Sequence, residues 1–359
     1  MIIKIRLTDF RNFKDKLLSF SEEVTVIIGP NASGKTNILE SLFVLSTGKS
    51  FRAKIEEEMV NYDKDIARVK GRITESTEKP TQSTDLETVL TRGLIDIGKA
   101  APEKIARKRL SANGVSKRLI DFAGNFKVTL FGPWDLDLVT QSPSLRRKFL
   151  DTVLSQIDRE YRRAALSYEK GLRQRNRLLL RIREGPPAGG SRSQLLFWDK
   201  LLIKNGDYIS VKREEFIEFV NKREGLDDQH FEIVYDKSAV SEARLEQYAE
   251  EEIAAATTLV GPHRDDFIFK LNRRDLSRYG SRGEQRMGVL WLKLAELAFI
   301  EEISGERPTL LLDDIFSELD HAHRKIVMKV AEKQQTIITT VDPHFVEGFG
   351  GVEKIQLKG

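Results

Sequence analysis

Cysteine is absent from the 359 residues, which excludes disulfide scaffolds, thiolate metal sites, cysteine nucleophiles and thiol redox chemistry. No run of about 18 apolar residues occurs, so the sequence offers no transmembrane helix. The opening MIIKIRLTDFRNF alternates apolar and polar residues and then turns charged, unlike a signal peptide. A soluble, cytoplasmic protein is expected. Excess charge is scarce as well: 59 basic and 55 acidic side chains leave a net +4, too little to predict a polyanion partner unless the charge is unevenly placed. What is present is a hydrophobic fraction of 40%, enough for a large core, so disorder of the whole chain is excluded. The length implies two domains, or one large domain carrying an insertion.

Ile3, Ile5 and Leu7 alternate with Lys4, Arg6 and Thr8, as in a half-buried strand. Residues 24–28 form a short continuous apolar run, the pattern of a strand buried on both faces. A glycine-rich turn and a helix follow. Between about 66 and 130, short β-like pieces at 67–73, 88–91, 107–115 and 128–131 are joined by polar turns, with Asn113-Gly114 as a hairpin signal and 74–85 as a polar loop. From 143 to 183 the pattern is helical and basic, with 12 Lys and Arg against 4 Asp and Glu. The breaker at 184–191 and a second helical run at 194–223 make the pair an antiparallel hairpin. A β-like piece at 231–235 and an acidic helix at 242–256 are expected to return the chain to the first domain. Helices at 288–302 and 321–333 then alternate with strands at 309–312 and 336–340, an α/β signature.

Gly29, Pro30, Asn31, Ala32, Ser33, Gly34, Lys35 and Thr36 spell G-x-x-x-x-G-K-T between a buried strand and a helix. Amides of such a loop converge on phosphate oxygens; Lys35 would reach the terminal phosphates and the Thr36 hydroxyl would ligate Mg²⁺. Thr309-Leu-Leu-Leu ends in Asp313 and Asp314. Asp313 suits the Mg²⁺ shell, and Asp314 suits orienting or deprotonating an attacking water. With the phosphate loop far upstream, Lys35 and Asp314 become the candidate catalytic residues. Tyr279-Gly280-Ser281-Arg282-Gly283-Glu284-Gln285 precedes a long helix, where a hydroxyl and amides form another anion site. Helix capping by Ser281 is the plainer alternative.

The order of phosphate loop, Ser281 turn, acidic strand and Ser317-Glu-Leu-Asp320 resembles the Walker A, signature, Walker B and D-loop of ABC-type ATPases. Further blocks are similar to the RecF family, in the SMC-like branch of those ATPases. They are Leu7-Thr-Asp-Phe10-Arg11-Asn12-Phe13, Pro143-Ser-Leu-Arg146-Arg147, Gln174-Arg175-Asn176, Gly261-Pro-His263-Arg264-Asp265-Asp266 and Leu311 to Asp320. The resemblance spans nearly the whole chain. It departs from the family at Trp134, where an acidic residue is usual, at Gln141 in place of Gly and at Val327 in place of Leu. A switch His is missing where Thr339-Thr340-Val341-Asp342 stands, with His344 just beyond. No Q-loop Gln is evident, although 131–135 falls in its place. Slow hydrolysis is the implication.

The resemblance implies an α/β ABC-type head with an inserted helical lobe, the core using 1–140 and 255–359 and the lobe 141–254. Arg11, Asn12 and Asn37 would join the phosphate loop at ATP. Two copies would close head to tail around two ATP and Mg²⁺, with Ser281, Arg282, Gly283, Glu284 and Gln285 acting on nucleotide held by the other copy, flanked by Ser317 and Asp320. The family further implies binding to double-stranded DNA and single-strand/double-strand junctions, and action with RecO and RecR to load RecA in repair and the SOS response. Arg146, Arg147, Arg173 and Arg175 in the basic run are the candidate DNA contacts, and His263 and Arg264 are read as structural. A transporter subunit would need the absent switch His, and an SMC-type tether would need far longer arms than this hairpin. An ATP-gated DNA clamp with incidental hydrolysis stays open.

Overall fold

The computed structural model describes residues 1–74, 83–95, 103–185, 191–346 and 352–358. Most of the polar loop at 74–85 and the centre of the breaker at 184–191 lie outside the described residues. By internal contacts the chain divides into two units, one of residues 1–135 and 300–359, the other of residues 136–299.

The first unit begins with β1 (Ile2–Phe10), β2 (Phe13–Ser19), β3 (Val24–Ile28) and α1 (Lys35–Thr47). Then come β4 (Ile66–Thr74), β5 (Ser83–Thr91), β6 (Leu94–Ile95), β7 (Glu103–Lys104), β8 (Lys108–Ala112), β9 (Val115–Lys117), α2 (Leu119–Phe122) and β10 (Val128–Phe131). An antiparallel sheet runs in the order β2-β1-β4-β5-β8-β9. Ile5 and Leu7 are buried as expected, but Ile3 is exposed: a register shift between Ile2 and Lys4 turns Ile2 to the core instead. Asn113 and Gly114, both at positive φ, close the β8–β9 hairpin as the sequence signals.

The second unit contains α3 (Asp137–Thr140), α4 (Pro143–Ile157), the long α5 (Arg159–Glu184) and α6 (Ser191–Asn221), β11 (Phe231–Asp236), α7 (Glu242–Gln247) and α8 (Ala249–Ala255). It continues through β12 (Asp266–Leu271), β13 (Arg274–Asp275) and α9 (Leu276–Tyr279) into α10 (Arg282–Ser304). The division differs from the expected one at its far end. The sheet β11-β12-β13 and most of α10 go with the helical hairpin, because Phe231 stacks on Trp291 of α10 while Phe149, Phe216, Phe219, Phe267 and Phe299 form one aromatic core. A periodicity reading sees helix and strand types and is blind to such packing.

The first unit is completed by β14 (Thr309–Asp313), α11 (His321–Ala331), β15 (Thr336–Thr340) and β16 (Glu353–Gln356). These form a parallel sheet in the order β10-β14-β15-β3-β16. Strands β3, β14 and β15 are buried at every residue, as apolar runs covered on both faces must be. Ile38, Leu39, Leu42, Val44 and Leu45 of α1 share one core with side chains of both sheets, and the helix is buried nearly all round. Gln335 ties the sheets together: it accepts from Ile2 N at 2.8 Å and donates to Ile2 O at 2.7 Å.

Within the second unit, buried charge is compensated group by group. Arg213 donates to Asp265 and Asp151, both at 2.8 Å, and to Pro262 O at 2.7 Å. His263 lies between Thr258 O, 3.0 Å from Nε2, and the Tyr168 hydroxyl, 2.9 Å from Nδ1. A carbonyl only accepts, so Nε2 carries the proton and Nδ1 accepts from Tyr168. Burial, with Arg264, Arg147 and Arg175 nearby, pushes the imidazole down to about 4. The unfolded chain, titrating near 6.5, therefore binds this proton first, and His263 favours the fold fully above that pH and progressively less as pH falls towards 4. The stability advantage of the parent over His263→Gln is expected to shrink between pH 7 and 4.5 in thermal melts; parallel curves would contradict it.

Candidate phosphate-binding site

The parallel strand order brings the site together. β15 lies between β3 and β14, with Thr339 paired to Asp313 on one side and Thr340 to Ile28 on the other. The carboxyl ends of the three strands thus set the loop 29–36 beside the acidic strand end. Ligands of open α/β sheets bind at such ends.

The loop is shaped for close backbone approach. Gly34 caps α1 with φ 99°, and a Cβ there would collide with Asn12 and Phe13; Ala32 also has positive φ. A Cβ on Gly29 would lie 2.6 Å from Ser33 Oγ. No side chain caps α1, so its first amides remain for a ligand. The buried Ser33 hydroxyl has no hydrogen-bond partner among the described residues. Pro30 and Asn31 are exposed at the crest. An orphaned hydroxyl, uncapped amides and a cradle that admits no Cβ are what a phosphate group fits.

Lys35 is buried and donates to Gly29 O at 2.7 Å and Pro30 O at 3.0 Å. Burial lowers its pKa, opposed by Asp314 and Asp313. The Thr36 hydroxyl donates to Asp313 Oδ2 at 2.7 Å, so the two expected Mg²⁺ ligands are already in contact. A hydroxyl and one carboxylate suit Mg²⁺, which takes its remaining ligands from phosphate and water. Thr339 donates to the other Asp313 oxygen. Asp314 adopts φ 51°, a left-handed conformation rare outside glycine and one that recurs at functional sites. Burial raises its pKa, Lys35 opposes and Asp313 adds to the rise. The Ser317 hydroxyl donates to Asp314 O at 2.7 Å, whereas Asp320 caps α11 by accepting from His323 N at 3.0 Å.

Arg11 is held differently from the expectation that it faces phosphates. Its guanidinium grips Glu40 at 2.8 and 2.7 Å. Glu40 is fully buried, and against the cost of burial the hydrogen bonds of Arg11, Arg52 and Ser50 keep its carboxyl below the ordinary range. Asn12 donates to Ser33 O at 3.3 Å and accepts from Asn37 at 2.6 Å, which anchors the β1–β2 turn to the loop. Glu40, Ser50 and Arg52 were not singled out from sequence, and Thr339 only as standing where a switch His is missing. A carboxylate inside the apolar stretch of α1 was the available signal, because a buried charge demands partners.

In the second unit Ser281 caps α10. Its amide donates to the Glu284 carboxylate at 2.7 Å and its hydroxyl accepts from Glu284 N at 3.3 Å, a reciprocal capping box. Gln285 is buried and donates to Leu276 O and Gly280 O, fixing the turn rather than facing a ligand. Arg282 and Gly283 are exposed, and beside Gly283 an added Cβ would meet only Ser281 Oγ at 3.9 Å.

Two of the candidate DNA contacts are corrected. Arg146 is buried, pairing with Asp266 at 2.6 and 3.0 Å and donating to Leu138 O and Gln141 O. Arg175 is buried against Asp199 and Glu252, both at 2.6 Å, and Thr258. Neither guanidinium is available to a phosphate. Arg147 is half-buried and donates to Asp265 O, and Arg173 is exposed beside Glu169. Trp134 stacks on Phe51 at 4.8 Å, so an aromatic contact stands where the family usually has an acid.

The phosphate loop and the acidic strand end on this parallel sheet define an ABC-type P-loop ATPase head. Residues 1–357 match the RecF/RecN/SMC N-terminal domain, and the DNA replication and repair protein RecF of Oceanobacillus iheyensis is 34% identical over 369 residues, covering 97% of this chain and 94% of that protein. The chain belongs to the RecF family. RecF of Herpetosiphon aurantiacus is 35% identical, covering 95% and 93%. A solved structure of the recombination mediator protein RecF-ATP in the RecFOR pathway superposes with TM-score 0.85 at 32% identity, covering 96% of this chain and 93% of that one. The Pyrococcus furiosus Smc head shares the fold, with TM-score 0.53 at 14% identity.

Removing Arg146 strands Asp266 and two carbonyls. Arg146→Ala is expected to cost about 3 kcal/mol in denaturant unfolding and to leave the salt dependence of any DNA binding unchanged. An unaltered midpoint with a flattened salt slope would reverse this assignment.

Proposed function

We propose that this chain is a DNA-binding recombination mediator whose grip on DNA is gated by ATP. The observation that carries the reading is the contact of Thr36 with Asp313 beside an orphaned Ser33 hydroxyl and uncapped α1 amides. ATP phosphates take the cradle formed by 29–36, with Lys35 on the terminal phosphates and Thr36 and Asp313 holding Mg²⁺. The cation, when bound, neutralises charge on the phosphate oxygens. Asp314, with its raised pKa, is placed to orient or deprotonate the attacking water.

Ser281 and Gly283 act on nucleotide held by a second copy. The capping box occupies that turn in the free chain, so nucleotide must compete with the Glu284 carboxylate for the Ser281 amide. ATP then works as ligand and glue, its binding energy closing a head-to-tail dimer, and hydrolysis releases it. Thr339 holds Asp313 where other ABC ATPases carry a switch region ending in His, which favours slow turnover, raised when DNA is bound. Duplex DNA and single-strand/double-strand junctions are the proposed targets, with RecR and RecO as partners in loading RecA. Support comes from the named RecF relatives and the RecFOR pathway of the matching structure.

With ATP and Mg²⁺, Asp314→Asn is expected to double in mass in solution because bound ATP is not turned over. Lys35→Met is expected to stay at monomer mass and bind ATP at least tenfold more weakly, a loss of about 1.4 kcal/mol. An Asp314→Asn variant that binds ATP yet stays monomeric would contradict the gate.

A further inference from the structure

One charged surface takes no part in the nucleotide site: the outer face of the antiparallel sheet. Its side chains are placed by register. Lys4, Arg6 and Thr8 of β1 stand opposite Arg72, Lys70 and Arg68 of β4, and these opposite Asp85, Glu87 and Val89 of β5. Arg109 of β8 follows beside Val89, and Leu17 and Asp15 of β2 lie beside Arg6 and Thr8. Alternation puts all of them on one side of the sheet, because the residues between them, Ile5, Leu7, Val69, Gly71, Leu86 and Thr88, are buried.

This face carries six cations, Lys4, Arg6, Arg68, Lys70, Arg72 and Arg109, against three carboxylates, Asp15, Asp85 and Glu87. The two signs are unequally exposed. The side chains of Arg6, Arg68 and Lys70 are 62%, 56% and 55% exposed, whereas those of Asp85 and Glu87 are 26% and 24% exposed. Arg68 reaches Glu87 only at 3.7 Å and Lys70 reaches Asp85 only at 3.5 Å. Lys4 and Arg109 are exposed with no ion pair among the described residues. Two residues apart on an extended strand, Arg68, Lys70 and Arg72 form a row about 13 Å long, with Lys4 and Arg6 on the next strand about 5 Å away.

We infer that this sheet face holds duplex DNA by its phosphate backbone. Rows of exposed cations on a sheet match the dense, sequence-independent charge of a duplex. None of the outward residues named here is aromatic, so the bases of a single strand would find no ring to stack on. A protein partner would need aromatic anchors for the same reason; the exposed large apolar groups of β1 and β2 are Ile3 and Leu17. From Arg6, β1 runs on to the turn where Asn12 bonds Ser33 O, so this face and the phosphate loop share one strand. The inference rests on the DNA-binding reading above and adds the surface that takes the duplex.

The full-length chain with ATP and Mg²⁺ is titrated against a blunt duplex by fluorescence anisotropy at several salt concentrations. Combining Lys4→Gln, Arg68→Gln and Lys70→Gln is expected to flatten the slope of log affinity against log salt by about 2.7. Lys4→Gln with Arg109→Gln, which breaks no ion pair among the described residues, is expected to flatten it by about 1.8. Lys200→Gln with Lys204→Gln, which removes as much exposed charge from α6, is expected to leave the slope unchanged. Parent slopes in both sheet variants would overturn the inference, and a face that docks a protein gives that result. An equal fall in the α6 variant, or on a thymidine single strand, would overturn it as well. If the parent chain binds no duplex, the DNA-binding reading itself fails; if it binds and the sheet variants match it, only this surface fails. Unchanged melting midpoints verify that the variants fold, and the Lys4 and Arg109 variant carries the test if loss of the Arg68 pair lowers stability.

Discussion

Strand order in the parallel sheet is the constraint on which the site depends. Residues 29–36 and Asp313 are separated by almost the whole chain, and they meet because β15 fills the gap between β3 and β14. Thr339, at the end of β15, and Thr36, at the start of α1, then bond opposite oxygens of the same carboxylate. Asp313 is thereby aimed before any ligand arrives. Such preorganisation spares the reorganisation that a ligand would otherwise have to drive. It also explains why α1 is buried on nearly every side: a helix wedged between two sheets holds the loop in place only if all its faces pack.

Charge inside the molecule follows one rule with two outcomes. Where a charge is taken from water, partners come from distant segments, as with Glu40 between Arg11 and Arg52, or Arg213 between Asp151 and Asp265. These groups fix geometry more than they add stability, because desolvation offsets much of the attraction. Where a charge stays in water without an ion pair among the described residues, as at Arg177, it is open to a ligand. The Arg11 cluster sits directly behind the phosphate loop and, through Asn12 and Asn37, sets the position of its last turn.

How much was legible in sequence depended on whether a residue's neighbours were local. The G-x-x-x-x-G-K-T loop, the strand ending in Asp313 and Asp314, and the Asn113-Gly114 hairpin are local patterns with one physical meaning each, and the fold places them as read. The serine before α10 could be read as a cap or as an anion site, and the free chain displays the cap. The basic run was misread at Arg146 and Arg175. An excess of 12 cations over 4 anions within 143–183 counts only nearby carboxylates, while Asp266, Asp199 and Glu252 arrive from later in the chain. The boundary near 255 failed for the same reason, since β12 and α10 join the helical hairpin through aromatic packing that no periodicity encodes.

The central claim is that each triphosphate is completed by the Ser281 turn of another copy, a geometry that mixing two defective chains tests directly. Lys35→Met lacks the cradle and keeps the turn, and Ser281→Arg keeps the cradle and blocks the turn. Alone with ATP and Mg²⁺, each should remain at monomer mass in light scattering. Mixed, they can build one complete site across the pair, and a species of twice the mass should form. A mixture no heavier than its components would mean that the cradle and the turn do not work in trans.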